Sequence, residues 1–271
     1  MFIKVIYEPT FLKGKIVFMI LDKKRSPARY TTTYIAFAAT FSLLLLLIIF
    51  LISLLHPADT SRNTDLDIYE KSKYPTVVID AGHGGEDGGA IGASGVYEKE
   101  LNLYIAQNLA SMLRTNGINV VMTRERDELL YDKNSDYRGR KKQLDLAARV
   151  KIAQEEENCI FVSIHMNSFP QEKYRGLQVY YSSNNSASKE LAESIQSSVC
   201  KYLQAENTRT VKKASSNIFL LDRITKPAVL IECGFISNTE ECALISTEKY
   251  RQKLTLAIFC AITEHISKDT S

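Results

Sequence analysis

The sequence predicts an α/β domain: a mostly parallel, mixed sheet with helices on both faces, preceded by one N-terminal transmembrane helix. Three observations predict it. From about Tyr74 onward, apolar runs of strand length alternate with longer stretches of helical period. Three of those runs end in a side chain that can bind a metal or a proton: His83, His165 and Glu232. Ahead of them, residues 34–55 ("YIAFAATFSLLLLLIIFLISLL") carry no charge, and a bilayer takes about 20 apolar residues to cross.

Taken in order, residues 1–33 form a cytoplasmic N-terminal segment, because Lys23, Lys24, Arg25 and Arg29 precede the apolar stretch and the positive side stays inside. Residues 34–55 are the anchor. A cleaved signal peptide is the rival reading, but the stretch is long for one and no clear A-x-A site follows. Residues 56–73 are polar and without period, a linker in which His56 has no supporting pattern. Residues 74–271 are the folded α/β domain. Within it "TVVIDA" (76–81) and "INVVMT" (118–123) read as strands. Between them Leu101, Ile105, Leu109 and Leu113 recur at helical spacing, with Gly117 as a stop. "QLDLAARVKIAQEEE" reads as a helix, then "CIFVSI" (159–164) and "LQVYYS" (177–182) as strands. A helix carries Leu191, Ile195 and Val199. "NIFLL" (217–221) and "AVLIEC" (228–233) read as strands, and a last helix runs from about Thr247 to His265.

Composition limits the function classes. The chain has 271 residues, is 45% apolar and 24% charged, and carries a net charge of +3. That charge is too mild to argue for nucleic acid, and no basic stripe follows residue 60. Five cysteines without a C-x-x-C pair exclude a thiol-redox motif and a cysteine zinc cluster. Cys159 and Cys233 lie beside apolar runs, as small buried hydrophobes do.

Ligands and catalytic groups of open α/β sheets gather beyond the carboxyl ends of the strands, so parallel strands would bring His83, His165 and Glu232 to one edge. Glycines at 84, 85, 88 and 89 let the chain turn sharply after His83 and admit an ion. A phosphate loop fits poorly, since Glu86 and Asp87 would meet the anion and no P-loop lysine follows. Glu98 stands in the first turn of a helix, where the dipole alone favours an acid; Glu100 competes with it, and spacing does not choose. Glu232 lies within an apolar strand. A buried carboxylate needs a cation, a donor or a raised pKa, which points to a functional site ahead of the competing explanation, an ion pair with an arginine such as Arg124 or Arg149. Two histidines, one or two acids and a glycine turn suit a zinc hydrolase. Iron and manganese accept the same ligands, so zinc is the default.

These residues resemble the zinc-dependent N-acetylmuramoyl-L-alanine amidases (type 3), which cut bacterial peptidoglycan. "VVIDAGHGGEDGGAIG" resembles the family's first signature, "YEKELNL" its helix start, "SIHMNS" its second histidine segment and "KPAVLIECGFISN" its closing signature; "VMTRERD" and "ARVKIAQ" resemble weaker patterns. The resemblance spans about Thr76 to Ile266. It implies that His83, Glu98 and His165 hold Zn2+, with Glu98 rather than Glu100 because the family's glutamate precedes the lysine. Glu232 would be the catalytic base, and the substrate the amide between the lactyl group of muramic acid and L-alanine. Met166 stands where alanine is usual and Gln154 where asparagine is common. Strand alternation turns Cys233 away from the metal. The anchor, the compact size and "NTRTVKKASSNIFLL" resemble the membrane-anchored, germination-specific amidases of spore formers. That implies a membrane-held domain on the wall or cortex side, acting in cortex maturation (muramic lactam formation), with peptidoglycan as substrate, no nucleic acid and an accessory protein of unknown identity. Residues 125–145 would be a lid, a partner surface or a solvated charged loop. The competing functions are a catalytically silent peptidoglycan-binding module, a metal-dependent deacetylase and a phosphohydrolase.

Overall fold

The structure, a computed structural model, describes residues 27–55 and 74–269, except 133 and 135–137. The chain divides into two units, Met1–Ile68 and Tyr69–Ser271. In the first, Pro27–Leu55 is a single helix, α1. Side chains are described for 35–51, and all are exposed. Counted over the described residues, no helix is long and apolar enough to cross a membrane. Lys23, Lys24, Arg25 and the linker 56–73 lie outside the described residues.

The second unit is built on six strands: β1 (Thr76–Ala81), β2 (Val120–Met122), β3 (Cys159–Asn167), β4 (Gln178–Tyr181), β5 (Lys212–Lys213) and β6 (Ala228–Phe235). Their order is β2-β1-β3-β6-β4-β5. β2, β1, β3 and β6 are mutually parallel. β4 runs antiparallel to β6, and β5 follows β4. The sheet is therefore mixed, with a parallel half and a reversed edge. The strand expected at 217–221 is absent: Phe219–Arg223 forms a short helix, α5. Leu220 and Leu221 are both buried, and adjacent inward residues suit a helical turn, not an alternating strand. A run of four apolar residues, Ile218–Leu221, does not carry enough period to separate the two.

Helices cover both faces. Alternate strand residues sort the core in two. Val77, Ile79, Ile160, Val162, Ile164, Val229 and Ile231 face α2 (Glu98–Thr115), α4 (Ala187–Tyr202) and α7 (Glu248–Asp269). Val78, Phe161, Ala228 and Leu230 face α3 (Lys141–Glu155) and α5. Helix α2 forms where periodicity placed it: Leu101, Ile105, Leu109 and Leu113 are all buried, each contributing roughly 1.5–3 kcal/mol. It ends at Asn116, with Gly117 at φ 76°. A further helix, α6 (Thr239–Ile245), is capped by Asn238, whose side chain accepts from the Glu241 amide at 2.8 Å.

Parity places the chemistry. His165 pairs with Glu232 across β3 and β6. Residues directly opposite share a face, so both side chains lie on the α3 face at the carboxyl ends of their strands. Cys233 and Met166 point the other way, into the α2/α4/α7 core. Cys233 thus faces away from the site as alternation predicts, and Met166 does not lean over the cleft. Among the described residues all cysteines are free. Burial raises the Cys159 thiol to about 11, so it is inert at neutral pH.

Candidate metal centre and active site

Three donors meet beyond the ends of β1 and β3. His83 leaves β1 in the loop before α2, Glu98 opens α2, and His165 stands on β3. His83 Nε2 lies 3.2 Å from Glu98 Oε1, and His165 Nδ1 lies 3.0 Å from the same oxygen. The two rings are edge-on at 4.9 Å. These ligand atoms all lie within 4.8 Å of one another. Glu98 is buried while Glu100 is exposed, so the structure brings Glu98 into the cluster and leaves Glu100 out. His265 sits buried on α7, outside the cluster.

The surroundings aim these groups. Glu98 Oε2 accepts from the Ala90 amide at 2.9 Å and Oε1 from the Met166 amide at 3.0 Å. Burial pushes the Glu98 carboxyl up, and the His165 and His83 imidazoles outweigh it, holding it well below the usual range. On His83 the other nitrogen, Nδ1, faces Asp87 Oδ1 at 2.9 Å. A neutral imidazole has one proton and one lone pair. With a carboxylate on each nitrogen, one lone pair must face a negative oxygen. Only a second proton or a cation relieves this. Burial lowers the His83 pKa, but Glu98 and Asp87 together raise it above its ordinary value.

His83 is held at φ 62°, a left-handed conformation that costs roughly 1–2 kcal/mol for a residue with a Cβ. Two buried arginines impose it. Arg149 donates to His83 O at 2.8 Å and Ala81 O at 2.8 Å. Arg124 donates to Ala81 O at 2.8 Å and Gly82 O at 3.0 Å. Arg149 is itself paired with Asp80 at 2.6 Å and Asp145 at 2.8 Å. Burial pushes Asp80 up; Arg149, with the Ser163 and Thr123 hydroxyls, outweighs it. Gly82 and Gly89 leave room for the cluster. A Cβ on Gly82 would stand 2.2 Å from His165 Nε2, and one on Gly89 2.6 Å from Glu98 Oε2.

Glu232 has no arginine. Both candidates are committed elsewhere, and its Oε2 is buried with no hydrogen-bond partner. Burial first, and the nearby Glu98 second, push its carboxyl up to about 7, against the pull of the two imidazoles. It stands opposite His165 as an acid free to take or give a proton near neutral pH.

Sequence reasoning missed the role of Asp87 and the carbonyl clamp of Arg124 and Arg149. The signal was present: charged residues inside the "TRERD" and "ARV" patterns. It also missed the strap on the glycine loop. Lys99 Nζ reaches Gly85 O at 2.8 Å and Asp127 Oδ2 at 2.7 Å, while the Gly85 amide donates to Asp127 Oδ1 at 2.7 Å. Lys141 pairs with Glu86 at 2.7 Å. The described part of residues 125–145 is therefore tied along the glycine loop after His83 at several points.

The fold and site define a hydrolase domain of the α/β type, with a candidate metal cluster and an uncommitted acid at one rim. Residues 77–264 match the family of N-acetylmuramoyl-L-alanine amidases. The germination-specific N-acetylmuramoyl-L-alanine amidase of Bacillus subtilis is 35% identical over 192 residues, covering 71% of this chain and 80% of that protein. The CwlD amidase of Clostridioides difficile, solved in complex with the GerS lipoprotein, is 39% identical with a TM-score of 0.68, covering 72% of this chain and all of that one. The catalytic domain of the amidase CwlV from Bacillus (Paenibacillus) polymyxa is 34% identical with a TM-score of 0.60, over 71% of this chain and 98% of that domain. The chain belongs to the N-acetylmuramoyl-L-alanine amidase family, and its activity is peptidoglycan amide hydrolysis.

Proposed function

We propose that His83, Glu98 and His165 hold a zinc ion and that Glu232 is the catalytic base for cleaving the amide between the lactyl group of N-acetylmuramic acid and L-alanine. The carrying observation is His83 with a carboxylate at each ring nitrogen, 2.9 Å and 3.2 Å away, beside a second imidazole on the same Glu98 oxygen. Two nitrogens and an oxygen are a donor set zinc accepts while leaving a position open. When bound, zinc polarises a carbonyl and lowers the pKa of water. Asp87 Oδ1, 2.9 Å from His83 Nδ1, favours the tautomer that keeps its proton on Nδ1 and leaves the Nε2 lone pair facing the cluster. Glu232 takes the proton of the attacking water on Oε2 and passes it to the leaving nitrogen. Water adds across the C–N bond, giving a lactyl carboxylate and a free L-alanyl amine.

The wider setting is part of the same proposal. Residues 34–55 anchor the chain, with residues 1–33 cytoplasmic and the catalytic unit on the wall or cortex side. Support comes from the sequence: residues 34–55 carry no charge and lie within the continuous helix Pro27–Leu55, of whose side chains only 35–51, fewer than a crossing takes, are described. The likeness to germination-specific amidases supports action on spore cortex, in muramic lactam formation, and the lipoprotein complex of the Clostridioides relative supports a lipoprotein partner.

Full-length protein, stripped with chelator and reloaded with zinc, tests the chemistry on purified muropeptides. An amidase releases peptide with a free L-alanyl amino terminus. A deacetylase loses only acetyl and leaves the peptide attached, and a silent binder yields neither product. Glu232→Gln keeps zinc and loses turnover by roughly a hundred- to ten-thousand-fold. His83→Ala and His165→Ala lose zinc as well; full zinc stoichiometry in either removes it as a ligand.

A further inference from the structure

The segment "NTRTVKKASSNIFLL" (207–221) takes no part in the cluster or in proton transfer. It supplies Arg209 and the short edge strand β5, where Lys212 stands opposite Tyr180 of β4. Next to it, Gln178 of β4 stands opposite Glu232 of β6, on the same face. The register slips by one residue beyond His165, so Asn167 meets Phe235 and turns that ring to the same side. The result is a cleft of about 220 Å³ whose lining includes Phe169, Tyr174, Phe235, Gln178, Arg209 and Lys212.

No acid lines this cleft. Arg209 is held by neutral acceptors only: Nε donates to Arg175 O at 2.8 Å and Nη1 to Gln178 Oε1 at 3.0 Å. Its guanidinium lies 4.5 Å from the centre of the Phe235 ring and 5.9 Å from that of Tyr174. Gln178 is fixed in turn by Thr210 O at 2.8 Å. A half-buried, oriented guanidinium, which meets the buried Glu241 carboxylate only at longer range, and an exposed ammonium, neither with a carboxylate at ion-pair distance among the described residues, are suited to an anion brought by the ligand. The cleft has room for one residue-sized group, too little for a glycan strand.

We propose that this cleft is a carboxylate-binding subsite for the peptide stem, in which Arg209 and Lys212 bind a free carboxylate beyond L-alanine and the aromatic wall packs against its aliphatic portion. The inference rests on the amidase reading above. The sugars of the strand are uncharged at the cut amide, whereas the stem carries carboxylates that some walls amidate, so charge separates the two sides of the bond.

The test uses the full-length, zinc-loaded protein and two muropeptides that differ only in free or amidated stem carboxylates, with kcat/KM read by product mass. Wild type prefers the free acid. In Arg209→Gln and Lys212→Gln that preference falls about tenfold each, the scale of one charge-assisted hydrogen bond. Arg209→Lys and Lys212→Arg, which keep the charge, retain most of it and control for misfolding. An equal loss on both substrates, or an unchanged ratio, overturns the subsite while leaving the amidase standing. Loss of binding to a phosphate-bearing wall polymer with the ratio intact assigns the cleft to that anion and also overturns it. Absence of any released peptide with wild type overturns the amidase reading itself.

Discussion

Gly82 has no room for a methyl group. Alanine there would place its Cβ 2.2 Å from the His165 ring, so the imidazole must swing away from Glu98. Gly82→Ala is expected to weaken zinc binding by roughly 10–100-fold, the usual effect of disturbing a ligand's support; competition with a chromogenic chelator measures it. Glu232 gives a pH signature in metal-free protein. Its folded pKa of about 7 lies above the ordinary 4.5. The folded state therefore binds the extra proton between those values, and stability falls as pH rises through that window. Glu232→Gln removes this slope, so the variant gains in Tm over wild type from pH 5 to pH 7.5. A constant Tm difference between the two proteins would refute the assigned environment.

At the scale of elements, α3 matters through one side chain. Arg149 reaches from α3 to the carbonyls of Ala81 and His83 and neutralises Asp80 beneath them. Arg149→Met leaves Asp80 buried and uncompensated, a change expected to cost about 3–5 kcal/mol. Urea denaturation reports it, and zinc affinity falls with it because the left-handed turn at His83 loses its clamp. The parallel strands β1, β3 and β6 were legible in the sequence because each is an apolar run bounded by polar turns, and their ends announced His83, His165 and Glu232. Glu98 was not separable from Glu100 by spacing; its hydrogen bonds from the Ala90 and Met166 amides, which hold it beside His83 and His165, are a tertiary fact. Helix α5 was misread because four consecutive apolar residues have no measurable period. The reversal of β4, the two-residue β5 and the arginine clamp depend on long-range pairing that no local pattern encodes. Arg124 and Arg149 looked like partners for Glu232 because charge rules name candidates and geometry selects among them.

For the whole molecule, the anchor proposal makes a separate prediction. Intact chain is expected to stay with membranes through alkaline carbonate extraction, and protease added outside spheroplasts to digest the catalytic unit. Full protection would reverse the proposed orientation. Within that unit the sheet changes direction at β6, between the strands that carry the cluster and the edge pair β4–β5. Chemistry and recognition consequently come from two arcs of one rim that the chain builds independently. Transplanting the stretch from 173 to 213 between relatives should then carry dietary taste from one enzyme to another, leaving the scissors unaltered.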